Sequence, residues 1–148
     1  MTPRWLVGSA IVALLSVGAA AQTTQPGQVP STETALGSVS IPRAVMANGE
    51  TLRPGTYQVR LTAESAQPSV PGIQMERWVE FVRGGKVVGR EVVSIVPQDE
   101  MKDLHGDAGP RPGSGGTRVE MLKGDDYLRI WINRRGVNYL LHLPPAQG

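Results

Sequence analysis

Apolar residues recur at every second position in short runs along this chain, a period that places one set of side chains on a buried face and the other toward solvent. The clearest run is Tyr57–Thr62, in which Tyr57, Val59 and Leu61 alternate with Gln58, Arg60 and Thr62. Pro54-Gly55 introduces it. Upstream, Ser38–Ile41 and Arg43–Ala47 read as strands separated by Pro42, whose missing N–H confines it to an edge or a bend. Asn48-Gly49 follows as a two-residue turn, because both residues accept the positive φ that such a turn requires. Trp78–Arg83 and Lys86–Val96 flank Gly84-Gly85, a second hairpin signal, and the length of the later run predicts a bend at Gly89. Arg118–Leu122, Tyr127–Ile132 and Val137–Leu143 complete the set, separated by Gly124-Asp125-Asp126 and by Asn133-Arg134-Arg135-Gly136. No helical period extends through this region. The pattern predicts an all-β domain over residues 35–144, an antiparallel β-sandwich or partly open barrel of seven to eight strands.

The last two runs carry a register expectation. With Arg134 and Arg135 at the turn centre, Ile132 faces Val137, Ile130 faces Tyr139 and Leu128 faces Leu141. A slip by one residue would set Ile132 against Asn138 and mix the two faces. The reverse face then carries Tyr127, Arg129 and Trp131 opposite His142, Leu140 and Asn138, an amphipathic surface with aromatic side chains.

Two stretches lack the alternation. Residues 22–34 are built from Gln, Thr, Pro, Gly and Ser with Val29 as the one aliphatic side chain, too little to offset the entropy of ordering, and read as a disordered tether. Residues 98–117 contain Gly106, Gly109, Pro110, Pro112, Gly113, Gly115 and Gly116 and read as a long flexible loop inside the domain. Residues 145–148 form a short tail.

The first segment has the order of a secretory signal peptide: Arg4, an apolar run from Trp5 to Val17, then Gly18 and Ala19-Ala20-Ala21 before Gln22. The run is shorter than the roughly 20 apolar residues a membrane-spanning helix needs. Cleavage after Ala21 is expected, with an uncleaved anchor as the alternative. No cysteine follows to accept a lipid and no arginine pair precedes the run, so the general export route and a periplasmic or extracellular location are implied.

Composition narrows the chemistry. The 148 residues include 18 Gly, 12 Pro, two His and no Cys, which excludes disulfides and thiol chemistry and leaves little stock for zinc. The 15 basic and 13 acidic residues are spread along the chain, so no basic field for nucleic acid exists, and loss of Arg4 with the leader leaves a nearly neutral mature chain.

The stretch Asn48-Gly49-Glu50-Thr51-Leu52-Arg53-Pro54-Gly55-Thr56-Tyr57-Gln58-Val59 resembles an Asn-Gly-x-x-Leu-x-x-Gly-x-Tyr-x-Val segment of small exported bacterial all-β proteins of uncharacterised function. Tyr127–Asn133 and Tyr139–Pro144 look like the C-terminal hairpin of the same group. The resemblance implies export and a β-sandwich or barrel, and brings no catalytic residues. The shorter Leu-x-x-Gly-x-Tyr core is also similar to transthyretin-like and collagen-adhesin B-type sandwich modules. Some adhesin modules form a Lys–Asn isopeptide from a first-strand lysine, whereas Lys86, Lys102 and Lys123 all lie away from the first strand here.

Candidate reactive groups are sparse. Asp103, His105 and Asp107 have a spacing that could meet a divalent cation, but they sit among glycines without a rigid support, so no metal site is expected. Glu76, Glu80, Glu91 and Glu120 read as solvent-facing strand positions rather than a glycosidase pair. No serine sits on a nucleophile turn beside a histidine. The expectation is a non-enzymatic module without cofactor, engaging an envelope protein through a sheet edge or the face around Trp131. The alternative is a carbohydrate or small-ligand binder using Trp131, Tyr127, Arg129 and His142, with the 98–117 loop as a lid. Against an open face stands the packing of Trp131 beneath a neighbouring strand or the long loop, and Arg129, Arg134 and Arg135 read either as a solvated hairpin tip or as an anion-binding rim. Nothing in the pattern sets an oligomeric state.

Overall fold

The computed structural model describes residues 27–66, 75–98, 101 and 111–147. The expected leader over 1–21 and the Asp103–Asp107 cluster lie outside them. Nine strands are present among the described residues: β1 (Thr34–Ile41), β2 (Val45–Ala47), β3 (Glu50–Leu52), β4 (Gly55–Ser65), β5 (Met75–Arg83), β6 (Lys86–Pro97), β7 (Thr117–Met121), β8 (Leu128–Arg134) and β9 (Val137–Leu143). Seven form one antiparallel sheet in the order β1-β4-β5-β6-β9-β8-β7, and β2 and β3 form a second, small sheet. The large sheet curls until β1 comes back against β7 and β8, nearly closing a barrel. Of the two forms expected, the partly open barrel describes this sheet.

The alternation read from the sequence is the barrel's inside and outside. Tyr57, Val59, Leu61, Val79, Phe81, Val93, Ile95, Ile130, Ile132, Tyr139 and Leu141 are at most 3% exposed and meet in one interior core. Tyr57 is held at both ends of its ring, edge-on to Phe81 at a centroid distance of 6.2 Å, its hydroxyl donating to the Arg53 carbonyl at 2.6 Å. Side chains fill the interior, so it is not a lumen.

The three two-residue hairpin turns each place both central residues at positive φ, at Asn48-Gly49 (45°, 88°), Gly84-Gly85 (58°, 73°) and Arg135-Gly136 (51°, 74°). This geometry matches the twist of the flanking strands. The third turn corrects the expected register: its centre is one residue later than Arg134-Arg135, so Ile132 pairs with Tyr139, Ile130 with Leu141 and Leu128 with Leu143. A slip of two residues keeps every side chain on its own face, and the apolar pattern therefore does not distinguish the two registers. The left-handed preference of Gly136 does. In β6 the bend expected at Gly89 is a bulge just before it, Phe81 pairing with Gly89 and Val82 with Val87.

Both ends of the barrel are covered. At one, the β2–β3 hairpin delivers Val45, Ala47 and Leu52 to the core and is tied down by Glu91, which accepts from the Asn48 amide at 2.9 Å. The expected tail joins this end: the Pro144 carbonyl accepts from Met46 N at 2.8 Å, and Ala146 N donates to Ala44 O at 3.0 Å. The other end is crossed by residues 27–33, which the composition reads as tether. Gly27 N donates to the Arg135 carbonyl at 2.6 Å, and Val29 packs against the core.

Candidate functional site

The outer face chosen from the sequence does carry the expected side chains, but it is occupied by its own protein. Trp131 points outward as expected, yet it is only 2% exposed, buried in a satellite cluster with Val96, Met101 and the half-buried Leu140. Its indole N–H donates to Asn138 Oδ1 at 2.8 Å, and Asn138 Nδ2 reaches Gln98 Oε1 at 3.1 Å. An indole so covered offers no open stacking face. Arg129 lies over the Trp131 ring at 5.5 Å and is paired with Glu120, which also takes Arg118 Nη2 at 2.7 Å. Burial raises the Glu120 pKa, but the hydrogen bonds from Arg129 and Arg118 outweigh it and hold the carboxyl below its ordinary value. His142 pairs with Arg129 across the ladder rather than with Tyr127, following the shifted register. It stands at the rim with the exposed Tyr127 edge-on at 6.4 Å; partial desolvation and then the Arg129 charge push its pKa down.

A cavity of about 280 Å³ lies instead at the barrel end crossed by residues 27–33. Gln28, Pro30, Thr34, Ala35, Leu36, Arg134, Arg135 and Tyr139 line it. Each wall has a local cause. β1 supplies Thr34–Leu36, and a bulge between Ala35 and Gly37 turns the strand where it meets the barrel seam. Gly37 is at φ 102°, and a Cβ there would lie 2.6 Å from Arg134 Nη2. Arg134 thus crosses the seam directly over the β1 backbone. Its Nη1 donates to the carbonyls of Gly116 and Asn133, both at 3.0 Å, and its Nη2 reaches Thr117 Oγ1 at 3.4 Å.

Behind the cavity wall sits Arg77, in phase with Val79 and Phe81 on β5 and 5% exposed. Its Nε donates to Thr62 O at 2.7 Å and its Nη2 to Thr32 O at 3.3 Å, with further hydrogen bonds to Thr62 O and Pro30 O. All these acceptors are carbonyls. Among the described residues no carboxylate pairs with Arg77, and burial pushes its pKa down while leaving it a cation. Two carbonyls of the strap, Pro30 and Thr32, are thus tied to one buried guanidinium. Tyr139, 1% exposed, faces this charge; burial pushes its pKa up to about 12 against the opposing pull of Arg77, so the phenol is a neutral donor at physiological pH.

Chemically, the walls provide cationic donors, a phenol and a small apolar surface, and among the described residues no acidic side chain lines the cavity. Sequence reasoning sets Arg134 and Arg135 at a hairpin tip, solvated or part of an anion-binding rim with Arg129, and residues 22–34 in a tether, and so does not bring the arginines together with the strap and Tyr139. Two signals were available: Val29, the lone aliphatic residue of its stretch, and Arg77, a cation at an inward phase of a strand. Comparison of the chain with known protein families, with curated proteins and with solved structures found no match.

Proposed function

We propose that this is an exported, non-catalytic binding protein whose ligand chamber is the strapped end of the barrel. The observation that carries the reading is the cavity of about 280 Å³, lined by Arg134, Arg135 and Tyr139 together with Ala35 and Leu36. Barrel mouths are favoured ligand sites, and a largely apolar pocket with a few convergent polar groups is the usual form of one. Export rests on the leader pattern of residues 1–21. A small ligand in the chamber fits these walls better than a glycan on the Trp131 face, where the indole is covered. Screening the mature protein against small fragments by heteronuclear NMR tests the reading: binders shift the amides of Leu36, Arg135 and Tyr139. A screen whose only responders shift the Tyr127–His142 rim refutes it.

A second reading, engagement of an envelope protein, has one specific observation in its favour. Val87 and Val88, beside the β5–β6 turn, are 47% and 37% exposed, and with Tyr127 they are the large apolar side chains left exposed among the described residues. Val88→Glu then abolishes a crosslink to an envelope partner that the native protein forms. Unchanged crosslinking removes this reading.

A further inference from the structure

Resting on the ligand chamber proposed above, we infer that its occupant is a small organic carboxylate carrying a short apolar body. Arginine is the side chain whose planar fork matches a carboxylate, and two arginines lie in this wall. The three hydrogen bonds of Arg134 to Gly116, Asn133 and Thr117 use two Nη1 hydrogens and one of Nη2. Its Nε–H and second Nη2–H are left for a ligand among the described residues. Tyr139 is the second, independent pointer. Its side chain is 1% exposed at the cavity wall, and its hydroxyl has no hydrogen-bond partner among the described residues without being sealed off from solvent, so it is open to an acceptor that enters the cavity. A carboxylate oxygen is such an acceptor.

Charge and size complete the description. Arg77 adds positive potential from behind the wall through the strap it holds, donating to the carbonyl of the lining residue Pro30. Ala35 and Leu36 in the same lining take the apolar part of the ligand, which a bare phosphate lacks. An apolar cavity of roughly 150 Å³ holds a benzene ring, so one of about 280 Å³ takes a ligand of about a dozen non-hydrogen atoms.

Phenylacetate and its isosteric neutral amide, phenylacetamide, are suitable probes, with inorganic phosphate as the anion without an apolar body. Titration calorimetry on the mature protein, with NMR to locate the site, is expected to show phenylacetate binding about tenfold or more tighter than phenylacetamide, the worth of one charge-assisted pair. Tyr139→Phe weakens phenylacetate by about threefold to tenfold, and Arg135→Asn, which suits the positive φ of the turn, weakens it and lowers the salt dependence. Circular dichroism melts confirm that both variants fold. Equal binding of acid and amide at Leu36 and Tyr139 overturns the carboxylate assignment and leaves the chamber standing. Phosphate binding as tightly as phenylacetate overturns the need for an apolar body. Silence of both organic probes and of neutral fragments of the same size at these amides overturns the chamber itself.

Discussion

Replacing Gly37 by alanine tests how the barrel seam is closed. The added methyl meets two obstacles. At φ 102° an alanine is held beyond the ordinary left-handed well, a strain of roughly 1–3 kcal/mol. Its Cβ also falls 2.6 Å from Arg134 Nη2, the far end of a flexible side chain, so Arg134 moves rather than the backbone. Moving it loosens the hydrogen bonds to Gly116, Asn133 and Thr117 that bridge the seam. Because Arg134 is half-exposed and water replaces part of what is lost, that second component is about 1–2 kcal/mol. The smaller unfolded-state entropy of alanine returns about 0.4–1 kcal/mol. The net expectation is about 2–3 kcal/mol of destabilisation, roughly 10–20 °C in Tm for a domain near 100 residues. Urea denaturation of Gly37→Ala, Arg134→Ala and the double variant separates the components. In the Arg134→Ala background only the backbone strain remains, so the double variant loses about 1 kcal/mol less than the sum of the singles. Strict additivity, or a Gly37→Ala cost below about 0.5 kcal/mol, refutes this account of the seam.

The remaining expectations concern the core and the two buried aromatic groups flanking the cavity and the satellite cluster. Tyr139 is neutral in the folded protein up to about pH 12 but titrates near its ordinary value when unfolded, so stability is level below about pH 10 and falls by roughly 3 kcal/mol between there and pH 12; Tyr139→Phe removes that slope in urea titrations across the range. Trp131→Ala costs about 3–5 kcal/mol, and in mature protein without Trp5 and carrying Trp78→Phe the Trp131 emission is blue-shifted and resists acrylamide; ready quenching contradicts its burial. Tyr57→Phe loses about 1 kcal/mol with its hydrogen bond to Arg53, whereas Tyr57→Ala loses about 3–5 kcal/mol, and similar costs for the two place the ring outside the core.

Much of the barrel was legible residue by residue. The phase of Tyr57, Val59 and Leu61 announced which way β4 faces, and Asn48-Gly49 and Gly84-Gly85 announced two of the turns. The β8–β9 register was legible only to within two residues, since alternation has a period of two and only the left-handed Arg135-Gly136 pair selects the centre. Trp131 was legible as outward-pointing. Part of its cover was not legible: Met101 comes from the 98–117 stretch, whose composition says only loop, whereas Val96 ends the strand read over Lys86–Val96.

Local alternation and turn chemistry, both properties of a few adjacent residues, were enough to determine strands, their two faces and an all-β fold. The tertiary structure alone decided that the sheet curls until β1 meets β7 and β8, that residues 27–33 become a strap, and that Arg77, just before the strand read over Trp78–Arg83, points inward and anchors it. The cavity belongs to this second group. Its walls come from two segments, residues 28–36 and 134–139, which lie about a hundred residues apart in the chain and meet only when long-range pairing has closed the barrel.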